Sequence, residues 1–148
     1  GVKLKLSSTR TIVKNKSIIL IDDSLVRGTT CHKIVKMLYE AGAKEVHVRI
    51  ACPEIKFPDF YGVDMPTKKE LLAHEKSLKE MCDYIKAKSL KFLSLNGLYL
   101  ALIGSKRNSS YPQFSDHYFT GDYPIKPSDS LQGFKVKQLS LLSGKSNS

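Results

Sequence analysis

The sequence predicts an α/β fold in which a parallel β-sheet is flanked by helices. A short, continuous apolar run at 17–21 is rich in β-branched residues, which is typical of a strand buried on both faces. Apolar residues then recur at helical spacing through 34–41, and a second apolar strand follows at 45–51. Strand, helix and strand within about 35 residues form a βαβ unit, so the two strands should be parallel.

Two capping signals predict further helices. Thr67 is followed three residues later by Glu70, and Ser77 is followed in the same way by Glu80. Both pairs have the spacing of a capping box, in which the two side chains bond to each other's backbone amides at the start of a helix. We therefore expect one helix from Thr67 to about residue 76 and another from Ser77 to about residue 87.

The rest of the chain contains shorter elements and loops. A short strand is expected at 90–93, and a helix at 95–103 that ends near Gly104. Prolines mixed with aromatic residues mark 52–66 as an ordered loop, and 105–130 is also rich in loop residues.

These elements divide the chain into three parts. Residues 1–16 are expected to be a strand or an arm that leads into the core, because their first residues alternate between apolar and polar. Residues 17–125 form the folded part. Residues 126–148 end in small polar residues and are predicted to be a partly disordered tail.

Composition excludes several classes of protein. The 148 residues carry 24 Lys and Arg against 14 Asp and Glu, a net charge of +10, but no nucleic-acid-binding motif accompanies this charge and we expect no nucleic-acid partner. No apolar run could cross a bilayer, and no signal segment opens the chain, so no membrane association is expected. Three cysteines without CxxC spacing favour a reducing, cytoplasmic setting.

The loop after the first strand contains the candidate site. Its second half supplies backbone N–H groups, two hydroxyls and the start of a helix, which together can hold a phosphate. Its first half contributes two carboxylates, which would repel a bare phosphate but suit sugar hydroxyls or Mg²⁺. Ligands of open α/β sheets bind at this end of a strand, so the loop indicates a phosphorylated sugar. The candidate residues are Asp22, Asp23, Ser24, Val26, Arg27, Gly28, Thr29 and Thr30.

The same stretch carries a family resemblance. Residues 18–30 resemble the motif with which type I phosphoribosyltransferases bind phosphoribosyl pyrophosphate (PRPP): four apolar residues, two acids, and a small-residue loop ending in Gly-Thr-Thr. Within that group the chain is most similar to the glutamine PRPP amidotransferase family. Further resemblance to that family is found at residues 3–6, 40–46, 53–58, 61–66 and 119–124.

This resemblance implies a fold, a reaction and a set of ligands. The fold would be that of the type I phosphoribosyltransferases, here incomplete. The reaction would transfer ammonia from glutamine to PRPP, giving 5-phosphoribosylamine in the first step of purine biosynthesis. Asp22 and Asp23 would bind the ribose hydroxyls and Mg²⁺, and residues 26–30 would hold the 5-phosphate. PRPP and purine nucleotides would be the ligands, and the intact enzyme would be a homo-oligomer.

Departures from the family limit what this chain is expected to do alone. The glutaminase domain with its nucleophilic cysteine is absent, as is the part of the transferase domain that carries the pyrophosphate-binding and flexible loops. We therefore expect a C-terminal fragment that is inactive by itself, and assign no catalytic residue within it. The first residue, Gly1 in place of Met, agrees with a fragment. A non-catalytic phosphoribosyl- or nucleotide-binding module, or a gene remnant, is the alternative interpretation.

Some members of the family also carry a 4Fe–4S cluster bound by cysteines. The corresponding positions in this chain hold Asp59, Ser115 and Tyr118. None of these is a thiolate ligand, so no iron–sulfur cluster is expected.

Overall fold

The computed structural model of the chain describes residues 10–61 and 67–125. A helical turn at 10–13 precedes the first strand. In chain order the elements are β1 (Ser17–Asp22), α1 (Thr29–Glu40), β2 (Glu45–Ile50), a 3₁₀ turn (Lys68–Glu70), α2 (Leu72–Glu75), α3 (Leu78–Ile85), β3 (Ser89–Phe92), α4 (Leu95–Ile103) and α5 (His117–Thr120).

The three strands form a parallel sheet in the order β1-β2-β3. Asp22 pairs in register with Ile50, and Ile50 pairs with Phe92, so the carboxyl ends of the strands share one edge of the sheet. The middle strand is the most deeply buried: Val46 and Val48 are fully inaccessible to solvent. Apolar residues from the sheet, α1 and α3 form the core. The loop that leaves β1 at this edge is anchored to the core by the buried side chain of Leu25.

Strand β1 differs from the prediction that it is buried on both faces. Its residues alternate between exposed and half-buried: Ile18 and Leu20 pack against the core, whereas Ile19 and Ile21 are 65% and 73% exposed. Within the described residues β1 pairs with β2 alone, so it lies at the edge of the sheet. The apolar run predicted the strand correctly, but a run of apolar residues does not indicate whether a second layer covers them.

Because β1 presents apolar side chains at the edge of the described sheet, we expect it to promote self-association. Replacing both Ile19 and Ile21 by Thr should raise the solubility limit severalfold without unfolding the chain, since Thr keeps a high strand propensity. Light scattering over a concentration series would measure this. Ile12→Thr is the control, because Ile12 is equally exposed but lies outside the sheet.

The helix predicted from Thr67 is interrupted. The capping box between Thr67 and Glu70 forms, but Leu71 is extended and completely buried, and it separates the 3₁₀ turn from α2. The prediction of one continuous helix was therefore wrong at Leu71, where burial of the side chain outweighs helical propensity. The second capping box, between Ser77 and Glu80, begins α3 as predicted.

The other elements agree with the sequence, with two exceptions. Residues 10–13 are helical, whereas a strand or arm was expected for 1–16; the alternating residues that suggested it lie outside the described part of the chain. The short helix α5 lies within the stretch predicted to be loop-rich. The predicted tail at 126–148 also falls outside the described residues, as do residues 62–66 of the stretch at 61–66 that resembles the family. In the described ranges, no helix combines the length and apolar character that a membrane span requires.

Candidate functional site

The predicted loop forms one cavity at the carboxyl end of β1. Residues 22–31 line it, so all eight candidate residues are brought together, and its volume is about 320 Å³. Helix α1 begins directly behind the loop at Thr29, and its N-cap is Gly28, which adopts a left-handed conformation with φ 75°. No side chain of the described residues caps this helix, so its first amides are not covered by a capping residue. Such an end is suited to a bound anion.

The two carboxylates lie on the strand side of this cavity. Asp22 is half-buried and its Oδ1 accepts a hydrogen bond from the backbone N–H of Asp23 at 3.0 Å. Asp23 is exposed and its Oδ1 accepts one from the Ser24 hydroxyl, also at 3.0 Å. These local bonds orient the acids. Across residues 10–61 and 67–125 no group of three or more acidic, histidine or cysteine side chains is arranged for a metal.

Neighbouring thiols are unsuited to nucleophilic chemistry. Burial, together with the charge of Asp22, raises the pKa of Cys31 to about 11. Burial and the charge of Asp23 also raise the pKa of Cys52. The thiolate is the reactive form, so both cysteines stay protonated near neutral pH and act as small apolar groups.

The Arg27 guanidinium contacts a carboxylate from a distant part of the chain. Its Nε and Nη2 donate to Glu70 Oε1 at 3.2 and 3.0 Å. The sequence indicates only a capping role for Glu70, because 43 positions separate it from Arg27 and no local spacing links the two. Glu70 therefore contacts a residue that lines the cavity, although it lies outside the loop itself.

Gly28 has both a conformational and a steric requirement. Its positive φ strains any residue with a Cβ, and a Cβ built there would lie 2.7 Å from Leu72 Cδ2 and 3.1 Å from Tyr84 Cε1. We expect Gly28→Ala to lower the free energy of unfolding by about 2–3 kcal/mol. Gly104→Ala is a matched control, since Gly104 has φ 69° but no described atom within 4 Å, and should cost only about 1 kcal/mol. Urea denaturation measures the free energy of unfolding of both variants. Equal decreases in the two would contradict the steric argument.

Comparisons with known proteins show which proteins the chain is similar to. No family model matches the sequence. It is 53% identical over 143 residues to the amidophosphoribosyltransferase of Rhizobium etli, which covers 96% of this chain and 29% of the relative. It is 52% identical over 136 residues to the amidophosphoribosyltransferase of Staphylococcus aureus strain Mu50, covering 92% and 27%. The chain is homologous to part of amidophosphoribosyltransferase. It spans less than a third of the length of these curated relatives.

Solved structures agree with this homology. The glutamine PRPP amidotransferase of B. subtilis complexed with ADP and GMP superposes with a TM-score of 0.71 at 46% identity, covering 81% of this chain and 26% of that one. A structure described as the allosteric regulatory enzyme of purine biosynthesis gives a TM-score of 0.69 at 44% identity, again covering 81% and 26%. The predicted type I phosphoribosyltransferase fold is confirmed by these neighbours, with three parallel strands and flanking helices in the described part.

Asp59, Ser115 and Tyr118 lie around one buried histidine, His117. His117 Nε2 is 2.8 Å from Asp59 Oδ1, and its Nδ1 is 3.0 Å from the Ser115 hydroxyl. The Tyr118 ring packs against the His117 ring with centroids 4.0 Å apart. Burial, with Asp59 nearby, raises the pKa of Tyr118. Oxygen and imidazole groups thus form a hydrogen-bonded cluster that joins the 52–61 loop to α5.

A buried ion pair that the sequence did not reveal stabilises the same region. Asp116, 4% exposed, accepts hydrogen bonds from the Tyr99 hydroxyl at 2.8 Å and from Arg107 Nε at 2.5 Å. Arg107 also donates to Asp122 at 2.6 Å. Burial disfavours the charge on Asp116, but the bonds from Arg107 and Tyr99 outweigh it and hold its pKa below the usual value. The cluster attaches the 105–122 segment to α4.

Proposed function

We propose that the loop at 22–30 binds PRPP together with Mg²⁺, and that this chain is the PRPP-binding part of an amidophosphoribosyltransferase. The observation that carries the proposal is that all eight residues predicted from the motif line one cavity at the carboxyl end of β1. The homology of nearly the whole chain to amidophosphoribosyltransferases supports it.

The phosphate end of the ligand would lie against the turn before α1. Here the left-handed Gly28 lets the backbone turn toward the ligand, and the uncapped start of α1 offers N–H donors and a positive dipole end. The hydroxyls of Thr29 and Thr30 are exposed at this point and can donate further bonds. Arg27 would contribute its backbone N–H, because its guanidinium is bonded to Glu70.

The ribose end would lie against Asp22 and Asp23. Carboxylates accept hydrogen bonds from sugar hydroxyls, and Mg²⁺ in phosphate sites is commonly held by one or two carboxylates together with substrate phosphates, which fits this pair. When bound, Mg²⁺ would supply positive charge that offsets the pyrophosphate. As pyrophosphate leaves C1, positive charge develops on the ribose, and the two carboxylates would stabilise it.

The complete reaction is proposed for a protein in which this chain is joined to the other parts of its relatives. Ammonia released from glutamine would attack C1 of PRPP, the C1–O bond to pyrophosphate would break, and 5-phosphoribosylamine would form. This would be the first step of purine biosynthesis, in the cytoplasm, carried out by a homo-oligomer. Glutamine hydrolysis and the remaining pyrophosphate contacts require residues beyond this chain, so the isolated chain should bind without turnover.

A purine nucleotide is a second candidate ligand for the same loop. The similar B. subtilis structure was solved with ADP and GMP. A purine nucleoside monophosphate carries the same ribose 5-phosphate group as PRPP, so the phosphate end of the loop would accept either. The two ligands would then compete.

Amide chemical-shift mapping by NMR tests the site directly. Ribose 5-phosphate with Mg²⁺ should shift the backbone amides of residues 22–30, and GMP should shift the amides at the phosphate end of the same loop. Shifts confined to other parts of the chain, or none at saturating concentrations, would refute the assignment of this loop.

A further inference from the structure

Three contacts join the phosphate end of the loop to the segment at 67–72. Glu70 Oε1 accepts both hydrogen bonds from the Arg27 guanidinium. Val26 accepts a backbone hydrogen bond from the Leu72 N–H at 2.9 Å. Next to these two residues, Gly28 packs directly beneath Leu72 Cδ2. Residues 26–28 are thus held on one side by a segment that follows them in sequence by about 40 positions.

Both carboxylate oxygens of Glu70 have partners. While Oε1 accepts from Arg27, Oε2 accepts from the Thr67 backbone N–H at 3.0 Å and from the Thr67 hydroxyl at 2.8 Å. Bonds from the Thr67 hydroxyl and N–H, and then from Arg27, lower the pKa of Glu70, so it is ionised at neutral pH. The bonds from Thr67 fix the carboxylate at the start of the 3₁₀ turn independently of Arg27. The fixed carboxylate can therefore hold the Arg27 guanidinium in one place.

We propose that Glu70 is a positioning residue of the phosphate site. By holding the Arg27 guanidinium on the segment at 67–72, it fixes the backbone of residues 26–28, so that a phosphate is bound by backbone N–H groups and hydroxyls and not by the arginine side chain. That the bound group is a phosphate rests on the proposed function. That Glu70 holds residues 26–28 in place rests on the contacts described above.

The chain offers a matched control for testing Glu70. Glu80 forms the same capping box with Ser77, at 2.8 Å to its N–H and 2.7 Å to its hydroxyl, and is exposed. Gln is compatible with a capping box, so Glu70→Gln and Glu80→Gln make the same chemical change, but only the first removes the carboxylate that Arg27 contacts.

Isothermal titration of the 148-residue chain with ribose 5-phosphate measures the effect on the site. Glu70→Gln should weaken binding roughly threefold to fivefold, as expected for loss of a half-exposed ion pair, and Glu80→Gln should leave it unchanged. Arg27→Met should weaken ribose 5-phosphate binding as much as Glu70→Gln does, and combining the two substitutions should weaken it no further. Tighter binding by Glu70→Gln, or a much larger loss in Arg27→Met than in Glu70→Gln, would show that the guanidinium binds phosphate itself and would overturn the inference.

Hydrogen exchange tests the positioning role without any ligand. The Leu72 amide, which is bonded to Val26, should exchange severalfold faster in Glu70→Gln than in the parent chain or in Glu80→Gln. Unchanged exchange at Leu72 would refute the inference. If the parent chain binds no ribose 5-phosphate, the proposed function fails at this loop, and the exchange experiment alone decides the role of Glu70.

Discussion

Replacing both Asp22 and Asp23 by asparagine is expected to weaken the binding of PRPP–Mg²⁺ by at least roughly a hundredfold. Each substitution removes a negative charge that the proposal assigns to the ribose hydroxyls and Mg²⁺, and a hydrogen bond to a charged group contributes about 1.5–3 kcal/mol. The change conserves shape, and the side-chain carbonyl of the Asp22→Asn variant can still accept the hydrogen bond from the backbone N–H of residue 23. Isothermal titration with PRPP in the presence of Mg²⁺ measures the loss.

Two controls separate loss of the acid pair from general damage. Asp83→Asn removes an exposed carboxylate from α3 and should leave the affinity for PRPP–Mg²⁺ unchanged. Binding of ribose 5-phosphate without Mg²⁺ should fall much less in the double variant, since the turn before α1 is intact. If the double variant bound PRPP–Mg²⁺ as tightly as the parent chain, the role assigned to the two carboxylates would be wrong.

The largest expected effect on stability is that of Asp116→Asn. This change removes the buried carboxylate that accepts hydrogen bonds from Arg107 Nε and Nη2, so that Arg107, 11% exposed, keeps the exposed Asp122 carboxylate as its charged partner. Removing one partner of a buried ion pair costs about 3–5 kcal/mol. Burial opposes the charge on Arg107, but the bond to Asp116 outweighs it and raises the pKa of the guanidinium, so Arg107 stays charged. Urea denaturation at neutral pH measures the free energy of unfolding.

Asp122→Asn is the control for the ion pair. Asp122 contacts the same arginine but is 61% exposed, so its loss should cost less than about 1 kcal/mol. Similar decreases in the free energy of unfolding for the Asp116 and Asp122 variants would contradict the claim that burial makes the Asp116 contact strong.

The contribution of Asp116 should also depend on pH. Because the folded state lowers its pKa, the stabilisation is complete above the ordinary aspartate pKa of about 3.9 and is lost as pH falls through the lower folded value. The difference in unfolding free energy between the parent chain and Asp116→Asn should therefore be constant near neutral pH and shrink in acid. A difference that grew on acidification would mean that Asp116 is not ionised in the folded chain.

The parts of the fold that could be predicted from sequence are those fixed by local chemistry. The apolar runs predicted the strands, both capping boxes form where their spacing placed them, and the loop at 22–30 follows from a strand, a glycine and a helix start in immediate succession. These features depend on neighbours within a few residues. The candidate site could therefore be predicted nearly in full from one stretch of the chain.

What could not be predicted depends on residues far apart in sequence. Glu70 meets Arg27 across 43 positions, and His117 meets Asp59 across 58. Neither pair has a spacing that a helix or strand would impose. The exposure of β1 likewise depends on which strands flank it, and the extended Leu71 depends on a buried side chain, so both differ from what local propensity indicated.

A calorimetric titration of the 148-residue chain with PRPP and Mg²⁺ tests whether the loop at 22–30 binds PRPP. We expect saturable binding of one PRPP per chain, which is competed by ribose 5-phosphate and lost in the Asp22→Asn, Asp23→Asn double variant. A folded chain that showed no binding, or binding that the double variant retained in full, would contradict it.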